Sequence, residues 1–402
     1  MSQVLKGVRV VEVAQWWFVP AAGGILADWG ADVIKVEHPV SGDPQRGLVT
    51  SGLIPAGSVN FMVEQPNRGK RSIGIDIGKP KGLEVLHRFV READVFLTNF
   101  LPGARKRLKI DVADIRKVNP KAIYVRGHGQ GAKGPDADRG GYDAASFWCR
   151  GGIAHAITPE GAATPIMQRA AFGDSIGGMT VAGGIAAALF HRERTGEATV
   201  VDISLLGTAM WVLAPDIMMS KLVTGELPRF DRTSAPNPIV NAYKTKDGRW
   251  LFLNMLQPDR FWPDLCERIG RPDLVADERF KDGISRFQNR EACVAELDRV
   301  FAAKTLAEWK QILAAAEGVW APMQSAAELY EDPDAIANGY LPEITLEDGT
   351  RFRVVAAPVQ FDEISPELRP APAHAQHTEE LLLELGMSWE EIAGYKEDGS
   401  IS

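Results

Sequence analysis

Short apolar runs alternate with amphipathic segments through the first third of the chain. Runs rich in Val and Ile predict strands over residues 8–13, 31–36, 74–76, 94–97 and 122–126. The segments between them have helical periodicity and predict helices over residues 21–29, 79–92 and 112–118. Because continuous apolar strands are buried on both faces, the pattern indicates a parallel sheet covered by helices. The expected fold class is α/β, with a Rossmann-like open sheet.

After residue 175 the regular alternation of strands and helices ends, and a long helix, a linker and a hairpin are predicted. A long apolar helix is predicted over residues 176–191, followed by a strand over 199–203 and a helix over 205–222. Residues 225–238, rich in Pro, Arg and polar side chains, predict a linker. Beyond it, Lys246-Asp-Gly-Arg249 predicts a hairpin turn between strands 240–244 and 250–254. At 402 residues the chain is too long for one ordinary core, so we expect two domains.

Composition narrows the class of protein. Hydrophobic residues make up 45% and charged residues 24%, as in folded globular proteins. The net charge of −8 argues against general binding to nucleic acid or to anionic membranes. The longest apolar run, residues 179–190, is shorter than the roughly 20 residues of a membrane span. No secretion signal is recognisable, and three scattered cysteines fit reduced thiols, so we expect a cytoplasmic protein with no bound metal.

Two familiar motifs are present only in part. Gly129-Gln-Gly-Ala-Lys-Gly134 matches the G-x-G-x-x-G pattern, but a dinucleotide site needs a helix to begin there. The sequence continues Pro135-Asp-Ala-Asp-Arg-Gly-Gly, which is typical of a loop, and no glycine pattern follows the first strand. Gly173-Asp-Ser175-Ile-Gly177 matches the letters of the G-x-S-x-G elbow, but no predicted strand leads into it, as a nucleophile elbow requires. These observations disfavour an NAD-dependent oxidoreductase and an α/β-hydrolase.

Asp174 lies just before the long glycine- and alanine-rich helix, within Ala171-Phe-Gly-Asp-Ser-Ile-Gly-Gly-Met-Thr-Val. Aspartate is among the best helix N-cap residues, and small residues permit close helix packing, so a structural role accounts for this pattern. A second interpretation is a nucleophile: a helix N-terminus stabilises the anion, and Gly173, Gly177 and Gly178 leave room for a substrate carbonyl. The two interpretations are compatible.

Motifs in a fixed order along nearly the whole chain resemble the class III CoA-transferases, the family that includes formyl-CoA transferase, carnitine CoA-transferase and α-methylacyl-CoA racemase. The motifs that carry this resemblance are Leu5-Lys-Gly-Val-Arg-Val-Val-Glu-Val, Leu26-Ala-Asp-Trp-Gly-Ala-Asp-Val-Ile-Lys-Val-Glu37, Gly69-Lys-Arg-Ser-Ile, Thr98-Asn-Phe-Leu-Pro-Gly-Ala-Arg-Lys-Arg-Leu108, Gly141-Tyr-Asp143, Gly173-Asp-Ser175, Arg194-Thr-Gly-Glu, Val201-Asp-Ile-Ser-Leu205 and His377-Thr-Glu-Glu-Leu-Leu.

The resemblance implies specific roles and an architecture. Asp174 matches the nucleophile, and the positions expected to meet CoA or substrate are Gln15, Trp17, His38, Lys70, Arg71, Asn99, Phe100, Arg107, Tyr142, Gly177 and Gly178. Basic side chains suit the three phosphate groups of CoA. The implied fold is a large Rossmann-like domain over residues 1–224 and 335–402, with a small central α+β domain over 225–334. Two chains are expected to form a homodimer of interlocked rings.

The sequence also departs from formyl-CoA transferase. His38 stands where that enzyme has an arginine, and Trp17 stands where it has a catalytic glutamine, with Gln15 two residues earlier. The aromatic run Trp16, Trp17 and Phe18 suggests a larger or more apolar acyl group than formyl or oxalyl, although such runs are more often part of a core.

The implied reaction moves CoA from an acyl-CoA thioester to a free carboxylic acid through an aspartyl anhydride and an aspartyl-CoA thioester, with no tightly bound cofactor. Two alternatives stay open. An α-methylacyl-CoA racemase needs an acid/base group on each face of the α-carbon, but the histidine expected for it is replaced by Tyr142, leaving His128 and His155 as candidates. The other alternative is a non-catalytic acyl-CoA-binding protein.

Overall fold

The computed structural model describes residues 3–52, 57, 59–223, 227 and 231–402. Contacts between Cα atoms divide the chain into two compact units. The first comprises Met1–Ala156, Pro165–Gly225 and Pro333–Ser402, and the second comprises Ile157–Thr164 and Glu226–Asp332. Residues 157–164, which the sequence analysis places in the large domain, thus cluster with the second unit. The predicted boundary at residue 224 lies outside the described residues.

The secondary structure alternates strands and helices in the first unit. The strands are β1 (Arg9–Val13), β2 (Asp32–Glu37), β3 (Arg71–Gly74), β4 (Val95–Thr98), β5 (Ile123–His128), β6 (Val200–Ser204), β7 (Val240–Lys244), β8 (Trp250–Asn254), β9 (Trp320–Pro322), β10 (Glu343–Thr345) and β11 (Arg351–Arg353). The α-helices are α1 (Phe18–Asp28), α2 (Gly47–Thr50), α3 (Phe61–Asn67), α4 (Pro80–Arg91), α5 (Pro102–Arg107), α6 (Val112–Val118), α7 (Ile153–Ile157), α8 (Phe172–Thr195), α9 (Leu205–Val212), α10 (Ala214–Leu222), α11 (Pro258–Arg268), α12 (Gly283–Gln288), α13 (Arg290–Phe301), α14 (Leu306–Leu313), α15 (Ala326–Leu329), α16 (Pro333–Ala337), α17 (Thr378–Glu384) and α18 (Trp389–Glu397). Ala144–Cys149 form a π-helix.

The described residues of the first unit contain a six-stranded sheet in the order β3-β2-β1-β4-β5-β6. Every neighbouring pair is parallel. The predicted α/β class with a parallel sheet is therefore confirmed. The strand order reverses direction between β1 and β4, and such a switch point opens a crevice at the carboxyl ends of the strands.

Strands β1, β2, β4 and β5 each contribute to two cores, because successive side chains point to opposite faces of a sheet. On β1, Val10 joins a core that includes residues of α1 and α8, whereas Val11 joins a core with residues of α4, α6, α17 and α18. Both side chains are fully buried. This explains why the strands appear in the sequence as continuous apolar runs.

Some boundaries differ from the predicted ones. The third strand is β3, with Ile75 making only an isolated bridge to Ile401. The helix predicted over 205–222 is divided into α9 and α10, with Pro215 at the start of α10. Proline lacks the backbone N–H that a continuous helix would use there. The predicted hairpin in the second unit is confirmed, since β7 and β8 pair antiparallel and β9 joins β8.

Helix α8 is the longest of the described helices and is apolar enough, by length and composition, to cross a membrane. Its Val181, Ala182 and Ile185 are fully buried in the core that includes α1. In this structure α8 is therefore a core helix, packed with α1 on one face of the sheet.

Candidate functional site

Two loops meet where the strand order reverses. Gln15 follows β1, and Asn99 follows β4. The Asn99 side chain accepts a hydrogen bond from the Gln15 backbone N–H (3.1 Å) and donates one to the Gln15 carbonyl oxygen (2.6 Å). Asn99 therefore fixes the loop after β1 and defines one wall of the crevice.

A cavity of about 460 Å³ lies at this point, and we call it the switch-point cavity. Its lining comes from the carboxyl ends of four strands and from α5 and α8. The lining residues are Gln15, Trp16, Phe18, Asn99, Phe100, Leu101, Pro102, Ala104, Arg107, Leu108, Gly127, His128, Gly129, Gly140, Gly141, Tyr142, Asp174 and Leu205. Arg107 is exposed and has no carboxylate partner among the described residues, so its positive charge is available to a ligand.

The N-terminus of α8 is capped by a residue far away in sequence. Ala171 precedes the helix with a left-handed backbone (φ 57°). Oδ2 of Asp143 accepts hydrogen bonds from the backbone N–H groups of Gly173 (2.9 Å) and Asp174 (3.1 Å). Asp174 is the third residue of α8, so the interpretation of Asp174 as the N-cap is wrong. Its side chain is left free for another role.

Asp174 is half-buried, and its carboxyl group makes no side-chain hydrogen bond with the described residues. Burial, and secondly the negative charge of Asp143, raise the pKa of Asp174 to about 7. A buried carboxylate without hydrogen bonds is poorly stabilised, and this makes it more reactive toward an electrophile than a solvated one.

Asp174 also lines a second cavity, of about 360 Å³, which we call the aromatic cavity. Its walls are mainly apolar and aromatic. The lining residues are Trp16, Trp17, Gln45, Leu48, Met62, Tyr142, Asp143, Ala144, Trp148, Cys149, Ala154, Pro165, Ile166, Met167, Gln168, Arg169, Ala170, Ala171 and Asp174. Trp16, Tyr142 and Asp174 line both cavities. The nucleophile candidate thus stands where two binding spaces meet.

Hydrogen bonds and a ring contact fix the aromatic residues that lie between the two cavities. Trp16 has a left-handed backbone (φ 69°), and its N–H donates to Oδ1 of Asp43 (3.1 Å). Oδ2 of Asp43 pairs with the buried Lys35 ammonium at 2.8 Å. The Trp16 ring meets Tyr142 edge to face, with centroids 5.6 Å apart. The neighbouring Trp17 donates from Nε1 to Oγ of Ser175 (3.1 Å).

Comparison with known proteins decides the family. The family described as CoA-transferase family III matches residues 5–378. (R)-2-Hydroxy-4-methylpentanoate CoA-transferase from Clostridioides difficile is 33% identical over 98% of this chain and 98% of its own. Cinnamoyl-CoA:phenyllactate CoA-transferase from Clostridium sporogenes is 32% identical over 100% of this chain and 98% of its own. A crystal structure of a CAIB/BAIF family protein from Brucella suis aligns with a TM-score of 0.81 at 30% identity, covering 95% of this chain and 99% of that one.

The chain belongs to CoA-transferase family III. It is an enzyme that transfers CoA between acyl-CoA thioesters and carboxylic acids, as its relatives are. The predicted family and enzyme class are confirmed.

Within this CoA-transferase, the structure brings several of the predicted site residues together. Gln15, Asn99, Phe100, Arg107 and Asp174 line the switch-point cavity. Trp17 lines the aromatic cavity, and Tyr142, which is 63% exposed, lines both.

Lys70 does not reach either cavity. Its side chain is fully buried, and Nζ donates to both oxygens of Glu12 (2.8 Å each), to the Pro20 carbonyl and to Asn67 Oδ1. Burial lowers the pKa of Lys70 to about 8, against the opposing charge of Glu12. The Lys70 ammonium is thus occupied by four protein acceptors in this structure, and its expected contact with CoA stays a prediction.

Arg71 is engaged elsewhere as well. It forms a two-pronged pair with Asp32 (3.0 and 2.7 Å) and contacts Glu384 at 2.6 Å. Neither cavity includes it. Arg71 thus ties β3 to β2 and α17, and its expected contact with substrate stays a prediction.

Gly177 and Gly178 lie inside α8 and face α1. A Cβ atom on Gly177 would lie 2.4 Å from a Phe18 ring carbon, and one on Gly178 would lie 2.7 Å from Ala21 Cβ. Both glycines are buried and line neither cavity. Their small size serves close helix packing, and their expected contact with substrate stays a prediction.

His38 follows β2 and lines neither cavity. Its Nδ1 accepts hydrogen bonds from the backbone N–H groups of Val40 and Ser41 (3.2 Å each), and Nε2 lies 3.9 Å from Asp76. The side chain is nevertheless exposed at the carboxyl edge of the sheet. A role for His38 stays a prediction. Among the described residues no group of three or more His, Cys, Asp or Glu side chains could hold a metal.

The sequence analysis missed the role of Asp143 and named His128, which lines the switch-point cavity, only as a racemase candidate. Asp143 appears in the quoted Gly141-Tyr-Asp143 motif, but its contact with α8 spans about 30 residues and leaves no local signal. His128 ends β5, and a titratable residue at the carboxyl end of a predicted parallel strand is a usable signal.

Proposed function

We propose that the enzyme transfers CoA through covalent intermediates on Asp174. A carboxylate oxygen of Asp174 attacks the thioester carbonyl, the C–S bond breaks, and an acyl–aspartyl anhydride and CoA thiolate form. The thiolate attacks the Asp174 carbonyl, which releases the first acid and leaves an aspartyl-CoA thioester. The incoming carboxylate then repeats these steps in reverse.

The observation that carries this proposal is the position of Asp174 between two cavities, without a hydrogen-bond partner among the described residues. With CoA in one cavity and the acyl group or the free acid in the other, the reacting atoms of each partner can reach the same carboxyl group. Such placement supplies effective molarity, which lowers barriers by roughly 7–11 kcal/mol in well-oriented reactions. Burial keeps water from the anhydride.

We assign CoA to the switch-point cavity. It lies at the carboxyl ends of the strands, where open α/β sheets bind ligands. Arg107 and the neighbouring Lys106 are exposed on α5 and also line an adjoining cavity of about 550 Å³. With Lys70 and Arg71 both paired, these two side chains are the basic groups beside the cavity that suit CoA phosphates.

We assign the acyl group and the free acid to the aromatic cavity. Trp17, Met62 and Trp148 give it apolar walls, and Arg169 has no carboxylate partner among the described residues and supplies positive charge. The names of two relatives identify acids with a 2-hydroxy group and a branched or aromatic side chain. We therefore propose as substrate class a 2-hydroxy acid, or its dehydrated acyl-CoA, with an apolar side chain of that size.

At the level of the molecule, we propose a cytoplasmic homodimer of interlocked chains, with the large domain over residues 1–224 and 335–402 and the small domain over 225–334. No tightly bound cofactor is needed, since CoA enters and leaves as part of the substrates. Support for the dimer comes from α9 and α10, which expose a continuous series of large apolar side chains.

The test is an exchange assay in which several acyl-CoA donors are combined with a panel of carboxylic acids and products are identified by mass spectrometry. We expect branched and aromatic 2-hydroxy acids to be the best acceptors and formate and oxalate to be poor. Asp174→Ala should bind CoA but give no exchange. Exchange at wild-type rate in that variant would contradict the proposal.

The same assay in heavy water separates the racemase alternative. A transferase leaves the α-proton of the acyl group in place, whereas a racemase exchanges it. We expect no deuterium at the α-carbon of recovered acyl-CoA. A non-catalytic binding protein would give neither exchange nor deuterium.

A further inference from the structure

Trp16 forms the boundary between the two cavities together with Tyr142 and Asp174, and the proposed mechanism does not yet use it. These three residues line both the switch-point cavity and the aromatic cavity. The rings of Trp16 and Tyr142 meet edge to face, with centroids 5.6 Å apart. A substrate that extends from one cavity into the other therefore passes beside this pair of rings and the nucleophile.

Two separate sets of contacts hold Trp16 close to Asp174. On one side, the ring partner of Trp16 is followed in sequence by Asp143, whose carboxylate accepts a hydrogen bond from the Asp174 backbone N–H (3.1 Å). On the other side, Trp17 donates from Nε1 to Oγ of Ser175 (3.1 Å), and these two residues directly follow Trp16 and Asp174 in the chain. The place of the Trp16 ring is thus set relative to the nucleophile.

The backbone of Trp16 is left-handed, with a φ of 69°. This conformation is costly for a bulky side chain, because Cβ comes too close to the backbone carbonyl oxygen. Ala171, which directly precedes α8 and lines the aromatic cavity, is also left-handed. Strain of this kind persists only where the surrounding structure enforces it, and it clusters at functional sites. The conformation points to a functional requirement for the position of the Trp16 ring.

Three side chains enforce this conformation by binding the backbone of the loop after β1. The Lys35 ammonium donates to the Ala14 carbonyl oxygen (3.0 Å), and Asn99 binds both polar backbone groups of the next residue (3.1 and 2.6 Å). Oδ1 of Asp43 accepts a hydrogen bond from the Trp16 N–H (3.1 Å). Asp43 and Lys35 are buried and pair at 2.8 Å. The loop is therefore anchored to a buried ion pair that a solvent-exposed turn would not need.

The chemistry of transfer gives a fixed ring at this boundary a use. Every donor carries the same CoA group, so only the acyl group distinguishes one donor from another. The thioester carbon joins the two parts and has to lie at Asp174, where the cavities meet. We propose that Trp16 determines acyl-group specificity by confining the acyl group to the aromatic cavity, and that Asp43, paired with Lys35, is its positioning residue.

This inference rests on the proposed function, which places the thioester beside Asp174 and the acyl group in the aromatic cavity. It differs from a packing role of Trp16 in a measurable way. Loss of a ring that only supports the fold lowers kcat/KM for every donor by the same factor. Loss of a wall of the acyl site changes the ratio of kcat/KM between donors, since that ratio reports differences in transition-state binding.

The test measures kcat/KM for straight-chain donors from butyryl-CoA to decanoyl-CoA with one acceptor acid. Trp16→Gly removes the ring, and glycine adopts a φ of 69° without strain. We expect the ratio of kcat/KM for the longest donor to that for the shortest to rise by about 10-fold or more, because one methylene group in an apolar pocket is worth about 10- to 200-fold. Trp29→Ala is the matched control. Trp29 lies at the other end of α1, lines neither cavity and should leave the ratio at the wild-type value.

A wild-type ratio in Trp16→Gly would overturn the proposal, whether or not the rates themselves fall. If circular dichroism shows that this variant does not fold, Trp16→Phe carries the test. Its smaller ring should raise the same ratio by a lesser factor, and an unchanged ratio would again count against Trp16 as a determinant of specificity.

Asp43→Asn tests the positioning role. This variant weakens the pair with Lys35 and should raise the same ratio, but it should add nothing when combined with Trp16→Gly, because Asp43 acts through the ring. No change in the single variant, or an equal change in both backgrounds, would contradict positioning through Trp16. If Asp43→Asn does not fold, Trp16→Ala should unfold at lower denaturant concentration than Trp16→Gly, since only glycine tolerates the left-handed backbone that Asp43 holds. Equal midpoints would contradict that hold.

Trapping of an adduct on Asp174 separates this inference from the mechanism on which it rests. An adduct in wild type together with an unchanged ratio in Trp16→Gly counts against Trp16 alone. Full exchange without any adduct in wild type counts against the covalent mechanism, whatever the ratio in the variant.

Discussion

At the scale of single residues, the site depends on two carboxylates with divided roles. Asp143 holds the first turn of α8 through its backbone hydrogen bonds, and Asp174 is thereby left without a partner among the described residues. Their proximity also disfavours two negative charges, so Asp143 contributes to the raised pKa of Asp174. The negative charge of Asp174 is consequently unfavourable in the folded state, and the rest of the fold must offset this cost in free energy.

The first prediction concerns the stability cost of Asp174. Its pKa is about 7 in the folded state and near 3.8 otherwise, so between these pH values the folded state binds a proton that the unfolded state has lost. The free energy of unfolding should therefore fall as pH rises from 3.8 to about 7. Asp174→Asn removes this cost and should be more stable than wild type at pH 8 by about 1–4 kcal/mol.

Denaturant unfolding of both proteins at pH 4 and pH 8 measures the difference. The unfolding curves of wild type and Asp174→Asn should nearly coincide at pH 4 and separate at pH 8. Equal stability at pH 8 would show that Asp174 is not buried as an anion.

The second prediction concerns the pH dependence of exchange. Attack requires the anion of Asp174, so the rate should rise with pH through about 7. Asp143→Asn keeps an oxygen that can accept from the α8 backbone but removes the charge. The acid limb should then move to lower pH, only partly toward the usual aspartate value, because burial is the larger cause. A limb that stays in place would mean that the two carboxylates do not interact.

At the scale of elements, α1 and α8 form the packing on which the site is built. Phe18 and Ala21 of α1 approach the glycines of α8 so closely that no Cβ atom fits at Gly177 or Gly178. The spacing of these helices sets the distance between the loop after β1 and Asp174. A change here should therefore affect both stability and catalysis.

The third prediction uses two glycines of the same helix. Gly177→Ala should destabilise the enzyme by about 1–3 kcal/mol and lower exchange, since its Cβ would meet the Phe18 ring at 2.4 Å. A Cβ atom at Gly183 would have no neighbour within 4 Å. Gly183→Ala should therefore stabilise the enzyme by about 0.5–1 kcal/mol through helix propensity. Thermal unfolding measures whether each variant is less or more stable than wild type. A destabilised Gly183→Ala together with a neutral Gly177→Ala would contradict the claim that Gly177 is the glycine required for packing on α1.

Much of the sheet was predictable because β1, β2, β4 and β5 are apolar on both faces, which is a local property of the sequence. The start of α8 was not, because its cap comes from Asp143, about 30 residues earlier. The pairing of Lys70 was not predictable for the same reason: its partner Glu12 is 58 residues away, and only the folded chain shows that both are buried. Ion pairs between residues distant in sequence decide which basic side chains remain free to bind a ligand. The hydrophobic periodicity of the sequence contains no information about such pairs.

At the scale of the whole molecule, the α9–α10 face, defined as Met210, Trp211, Met218 and Leu222, is an exposed apolar surface of the first unit. Trp211 is 83% exposed and Leu222 is 85% exposed. Apolar side chains in this number are seldom left in water and mark an interface. The proposed dimer would cover them.

The fourth prediction follows from interlocked chains. Because such chains separate only by unfolding, light scattering in rising denaturant should show the mass halving together with the loss of helical circular dichroism. Trp211→Glu with Met218→Glu should move this joint transition to lower denaturant, whereas the exposed Val40→Glu should not move it. A folded monomer in mild denaturant would contradict interlocking.

The most direct test of the covalent mechanism is the mass of the peptide that holds Asp174. The enzyme is mixed with acyl-CoA in the absence of an acceptor acid, quenched within a turnover, treated with hydroxylamine and digested. The covalent mechanism predicts an aspartyl hydroxamate at Asp174 in wild type and none in Asp174→Asn. Full exchange activity with an unmodified Asp174 peptide at every quench time would contradict it.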